Sequence, residues 1–165
     1  MDLYTMPRNA PFPPFLRRSA PWLAALTLLG SGAAYAQAQP KIDVYKSPTC
    51  ECCDRWIEHL KRDGFAVDAH IVDDLGAARR KLGMPDRYGS CHTAKVGRYA
   101  VEGHVPAKDI KRLLKEQPKA VGIAMPGMPA GSPGMDIPNT PPFSTVLVLE
   151  GGSSRIYATH QSPKE

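Results

Sequence analysis

The 165-residue chain has no apolar run long enough to cross a bilayer. Its main apolar stretch, Ala20 to Leu29, falls well short of the ~20 residues that a spanning helix needs. It has no glycine-rich loop of the kind that cradles phosphate, since Gly151-Gly152 reads as a turn, and no Ser/His/Asp order. These absences exclude nucleotide binding and serine-hydrolase chemistry as expectations. There is no internal repeat, which excludes a solenoid. The net charge of +5 is not gathered into a basic block. Arg79-Arg80-Lys81 and Lys111-Arg112 read as solvated helix faces, so no nucleic-acid partner is expected. Cysteine is scarce, with only four in the chain, and their placement is the first positive signal.

The length suits one domain with a real core. Arg8, Arg17 and Arg18 precede the apolar stretch, and Ala34-Tyr35-Ala36 follows it as a small-x-small cleavage site. That order predicts a secretory signal peptide over residues 1–36, leaving residues 37–165 as a single periplasmic domain without membrane insertion. In an exported protein four cysteines suggest disulfides, with three possible pairings. Yet Cys50, Cys52 and Cys53 lie within four residues. Such a cluster closes almost no loop, so it favours redox or metal chemistry over stapling.

Along the domain, Ile42 to Tyr45 reads as a strand. Ser47-Pro48-Thr49-Cys50 then turns into a helix with Trp56, Ile57 and Leu60 on one face. Residues 65–72 alternate as a second strand. A second helix carries Leu75, Ala78 and Leu82, capped by Asp73 or Asp74. Thr93 to Val96 and Tyr99 to Val101 flank Gly97-Arg98 as a hairpin, and Pro106 opens a third helix. Seven prolines and four glycines in residues 118–142 predict a long irregular loop that excludes helix or central strand. Thr145 to Leu149 and Arg155 to Ala158 make a second hairpin within residues 143–160. The order implies an α/β sandwich with a mixed sheet.

Cys50-Glu51-Cys52-Cys53 is a C-x-x-C between strand and helix, with Cys52 as an extra thiol. Unpaired N–H groups at a helix start favour thiolate, the form that attacks disulfides or binds metal. Met125, Met128 and Met135 supply soft thioethers within the proline-rich loop, and thioethers suit Cu(I). Their bland alternative is adaptable apolar filler. His104, before the third helix, either joins the site or satisfies that helix's N-terminus. His59 and His70 read as surface residues, and His160 is too weakly placed to assign.

The element order resembles the thioredoxin-like fold in its compact glutaredoxin form. On that pattern Gly89-Ser90-Cys91-His92-Thr93 occupies the loop beside the C-x-x-C, where the fold has a cis-proline. His92 then stands at the proline and Cys91 just before it. Ser47-Pro48-Thr49-Cys50 with Cys52-Cys53, Ser90-Cys91-His92-Thr93, Glu102-Gly103-His104-Val105-Pro106 and Met125-Pro126-Gly127-Met128 resemble, more narrowly, the CopG-type periplasmic copper-resistance proteins. The resemblance covers roughly residues 41–160 and implies copper bound at the cysteine cluster, with copper ions and other periplasmic copper-handling proteins as partners. The expected metal ligands are Cys50, Cys52, Cys53, Cys91, His92, His104, Met125, Met128 and Met135. Mixed Cys/His/Met ligation could support conversion between Cu(I) and Cu(II). Zinc competes for Cys and His, but gives the methionines no role. The alternative activity is thiol-disulfide exchange through Cys50 and Cys53, and the blandest reading is a small structural domain with two disulfides.

Overall fold

A computed structural model of the chain describes residues 40–164, so the expected leader, residues 1–36, lies outside the described residues. The first strand, β1 (Ile42–Lys46), buries alternate residues, with Ile42 and Val44 fully enclosed. That period of two is what a strand with one core-facing side requires. Helix α1 (Glu51–Arg62) buries Cys53, Trp56, Ile57 and Leu60 at helical spacing, and Gly64, at φ +91°, releases the chain toward β2 (Val67–Ile71). Helix α2 (Leu75–Lys81) starts at Asp74, whose carboxylate accepts from the Ala77 N–H at 2.8 Å. A 3-10 turn (Asp86–Tyr88) leads to β3 (His92–Val96), β4 (Tyr99–Glu102) and α3 (Ala107–Glu116). Three further strands follow: β5 (Gly122–Ala124), β6 (Phe143–Val148) and β7 (Ser154–His160).

The seven strands form one mixed sheet in the order β2-β1-β3-β4-β5-β6-β7. The β1/β2 and β4/β5 pairs are parallel and the other pairs antiparallel. One apolar cluster joins Trp56, Ile57 and Leu60 of α1 and Ile110 and Leu113 of α3 to Ile42, Val44, Val96, Val101, Ile123 and Leu147 of the sheet. Burying each such side chain contributes ~1.5–3 kcal/mol. A smaller cluster of Met84, Tyr88, Ala100, Ala124 and Val148 lies apart from it. Among the described residues no helix is long and apolar enough to cross a membrane.

The exclusion of a central strand from residues 118–142 is corrected by β5, which sits between β4 and β6 with all three residues buried. The composition of the whole loop hides a proline-free stretch from Lys119 to Met125. Gly122 fits there because it packs against the Ala100 backbone so closely that a Cβ would strike the Ala100 carbonyl oxygen. From β5 the chain runs without helix or strand to β6, which begins at Phe143.

Candidate metal centre

The start of α1, the segment before β3 and the turn after β4 meet at one place. Cys50 caps α1 without a side-chain hydrogen bond, which puts Cys52 and Cys53 in its first turn. β1 pairs with both β2 and β3, and this pairing brings Cys91 and His92 to the same end of the sheet, Lys46 facing His92 in register. Cys91 Sγ lies 3.9 Å from Cys52 Sγ, 3.0 Å from His104 Nε2 and 3.4 Å from His92 Nδ1. Cys52 Sγ is 3.6 Å from Cys50 Sγ, and the Cys53 sulfur is 3.5 Å from the Cys91 carbonyl oxygen.

Two groups can each surround one ion: Cys50, Cys52, Cys53 and Cys91, and Cys91, His92 and His104, each with ligand atoms within 4.8 Å of one another. Ligands bonded at ~2.0–2.3 Å lie at most ~4.6 Å apart, so the sulfur–sulfur and sulfur–imidazole pairs above already stand within coordinating range. Cys91 belongs to both groups. Cys50 and Cys53 are joined as a disulfide, and Cys52 and Cys91 are free thiols. In this state two of the four sulfurs offer no thiolate. Titration of the unfolded protein with a thiol reagent is therefore expected to find two reactive thiols before reduction and four after. Four thiols before reduction would contradict the bridge.

Trp56 packs against one of the imidazoles. Its ring lies over His92 at 4.2 Å between centroids, and its indole N–H donates to the Val105 carbonyl at 2.8 Å, beside His104. His92 is completely buried and its Nε2 has no hydrogen-bond partner. Burial, followed by the charge of His104, drops its pKa to about 3. His104 is also lowered, by burial first, although the Pro133 carbonyl 2.8 Å from Nδ1 opposes the shift. Both rings are thus neutral near pH 7, as a metal ligand must be. Burial first, and then Cys52, push the Cys91 thiol up to about 12. Its thiol therefore keeps its proton until something displaces it. Neutral imidazole nitrogens of His92 and His104 at 3.4 and 3.0 Å from the Cys91 sulfur, with Cys52 beside it, are a donor set that fits a soft transition metal.

The proline-rich loop closes over this place through its backbone. Gly134, at φ +84°, lies so near the Cys52 carbonyl, the Trp56 amide and His104 Nδ1 that a Cβ would stand 2.8–3.3 Å from them. The Arg55 guanidinium fixes it by donating to the Gly134 carbonyl at 2.8 Å. At the other limb, Ser90 Oγ donates to the Gly127 carbonyl. The methionines differ from one another. Met125 packs within the apolar core, Met135 is half-buried, and Met128 is 53 % exposed.

The other histidines sort themselves by contact. It is His59, expected on the surface, that serves the start of α3, accepting from the Ala107 N–H at 3.1 Å. His104 instead faces Cys91. His70 is exposed and pairs with Asp43 at 3.1 Å. His160 is buried against Asp109 at 2.7 Å, with the Thr145 hydroxyl donating to the same carboxylate at 2.6 Å. Arg79, read with Arg80 and Lys81 as a solvated helix face, is instead only 11% exposed, and the fully buried Glu102, which the sequence did not single out, accepts from Arg79 Nε at 2.9 Å and from the Ser90 N–H at 2.7 Å. The available signal was one acidic residue ending the apolar run Tyr99-Ala100-Val101.

A family described as proteins of unknown function, DUF411, matches residues 88–135. No curated protein matches. Two solved structures are similar. "Copper resistance protein copG", form 1, is 40% identical, with 75% of this chain and 99% of that one covered and a TM-score of 0.70. Form 2 is 41% identical, with 74% and 98% covered and the same TM-score.

Proposed function

The chain belongs to the CopG copper-resistance family, and on that footing we propose that it is a periplasmic copper-binding protein for copper handling and resistance. The fold is read as thioredoxin-like, a reading supported by the β2-β1-β3-β4 order of that part of the sheet and by α1 following β1. Export rests on the basic, apolar and Ala-x-Ala order of residues 1–36.

The observation that carries the reading is the convergence of soft donors on Cys91, with Cys52 Sγ and His104 Nε2 at 3.9 and 3.0 Å. Cys52, Cys91, His92 and His104 would hold the metal, joined by Cys50 and Cys53 once their bridge is reduced. Bound copper supplies affinity for soft sulfur ligands and a one-electron change of charge. The residues do the rest. Trp56 packs on the His92 ring, the Pro133 carbonyl holds His104 at Nδ1, Cys91 gives up its proton on binding, and the Gly134 turn packs over Cys52 and His104. Sulfur and imidazole donors together tolerate both copper states, which suits conversion between them. The test is a competition titration of the reduced protein against a Cu(I) chelator, with zinc in parallel. Cu(I) is expected to be held far more tightly than zinc, and zinc binding without Cu(I) binding would overturn the reading.

Met128, exposed beside the Ser90–Gly127 contact, and Met135, next to Gly134, are proposed as further ligands, and Met125 as a third from the core side. Replacing Met128 and Met135 together with leucine conserves volume and removes the sulfur. Cu(I) affinity is expected to fall about tenfold, with zinc nearly unaffected. Equal Cu(I) affinities would assign both methionines to packing alone. A second reading, thiol-disulfide exchange through Cys50 and Cys53, is favoured by the bridge itself. It is opposed by His92 at the position where that chemistry uses proline.

A further inference from the structure

The Cys91 segment has no helix or ladder of its own to hold it, yet its sulfur stands within reach of three donors. Cys91 lies just before β3, after the 3-10 turn that ends at Tyr88. What grips it is on the other side. Glu102, at the end of β4, accepts the Ser90 N–H at 2.7 Å, and Arg79 of α2 donates to the Ser90 carbonyl oxygen at 3.0 Å. Arg79 and Glu102 are themselves paired at 2.9 Å. Both backbone polar groups of the residue before Cys91 are thus held by one ion pair. Two glycines make room for it. A Cβ at Gly89 would stand 3.0 Å from the Arg79 guanidinium, and one at Gly103 would stand 2.7 Å from Ser90 Oγ.

The pair is costly to keep. Glu102 is fully buried, its Oε2 has no partner, and Arg79 is only 11% exposed. Buried ion pairs are often replaceable by apolar residues without loss of stability, so stability alone does not account for this one. Its geometric consequence is local: it fixes the peptide that aims Cys91 toward Cys52 and His104.

We propose that Arg79 and Glu102 are positioning residues of the metal centre, acting through Cys91. This rests on the reading of Cys91 as a copper ligand. Partners that orient a ligand typically carry ~10–100-fold of metal affinity. The experiment is a double-mutant cycle on the reduced full chain, read as Cu(I) affinity by chelator competition. Its members are the wild type, Arg79→Met, Cys91→Ser and the double variant, with circular dichroism of each as the check on folding. Arg79→Met keeps the apolar stem of the side chain and removes the guanidinium. It is expected to weaken Cu(I) binding at least about tenfold in the wild type and to have no further effect in Cys91→Ser, because residues acting through one group are not additive. Glu102→Gln, which retains an oxygen for the Ser90 N–H, is expected to lose less than Arg79→Met and serves as the second probe should that variant unfold. Losses that add fully to that of Cys91→Ser, or no loss in either variant, would overturn the positioning role. If Cys91→Ser itself binds as the wild type does, the ligand reading of Cys91 fails, and the positioning role with it.

Discussion

Serine in place of Cys91 is expected to weaken Cu(I) binding by more than ~100-fold, a larger loss than removal of an orienting partner causes. The size follows from geometry. Cys91 is the residue common to the four-cysteine group and to the Cys-His-His group. Losing Cys52 leaves the imidazole group intact, and losing His104 leaves the sulfur group intact. Losing Cys91 breaks both. Serine keeps nearly the same volume but replaces a soft sulfur with a hard hydroxyl that does not ionise near neutral pH. The fold has little at stake, since Cys91 is half-buried and outside both apolar clusters. Chelator competition on Cys91→Ser, Cys52→Ser and His104→Asn gives the ranking. Cys91→Ser should be the weakest of the three, and an affinity within about threefold of the wild type would remove Cys91 from the site.

Metal-free protein is expected to lose stability steeply as the pH falls below ~6.5. His92 is held neutral in the folded chain down to about pH 3, by burial and then by the charge of His104. An exposed histidine in the unfolded chain takes up its proton near pH 6.5. Between those values the unfolded state binds more protons, so stability rises with pH through that window and is fully present above it. The limiting slope is ~1.4 kcal/mol per pH unit for one histidine, or about 2 kcal/mol by pH 5. His104, also lowered by burial, steepens it. Glu102, raised by burial, acts in the opposite sense, since its carboxyl holds a proton longer in the folded chain. The measurement is the denaturant midpoint of metal-free protein from pH 8 to pH 4. His92→Asn should flatten the dependence whatever it does to stability at pH 8, and an unchanged slope would contradict the buried neutral ring.

Local periodicity made most of this fold legible. Trp56, Ile57 and Leu60 mark α1, the alternation through Ile42 and Val44 marks β1, and Gly97-Arg98 marks the β3–β4 turn. The crowding of Cys50, Cys52 and Cys53, together with the cysteine and histidine that precede the hairpin, pointed to the place where the structure brings Cys50, Cys52, Cys53, Cys91, His92 and His104 together. What escaped depends on partners distant in the chain. β5 is three residues long, and its Gly122 is explained by the Ala100 backbone of another strand. His59, read as a surface residue, turns out to meet the Ala107 N–H, because which ring reaches that group depends on how α1 packs against α3. Arg79 and Glu102 are 23 residues apart, and nothing local to either says that they meet at Ser90.

In the proposed site, sulfur and imidazole from separate segments hold copper together. The most direct measurement is X-ray absorption at the copper edge on reduced full-length protein loaded with Cu(I), compared with Cys91→Ser. Sulfur is expected as the dominant neighbour with a nitrogen contribution from imidazole, and a loss of sulfur in the variant. A copper environment of oxygen and nitrogen alone, identical in the two proteins, would contradict it.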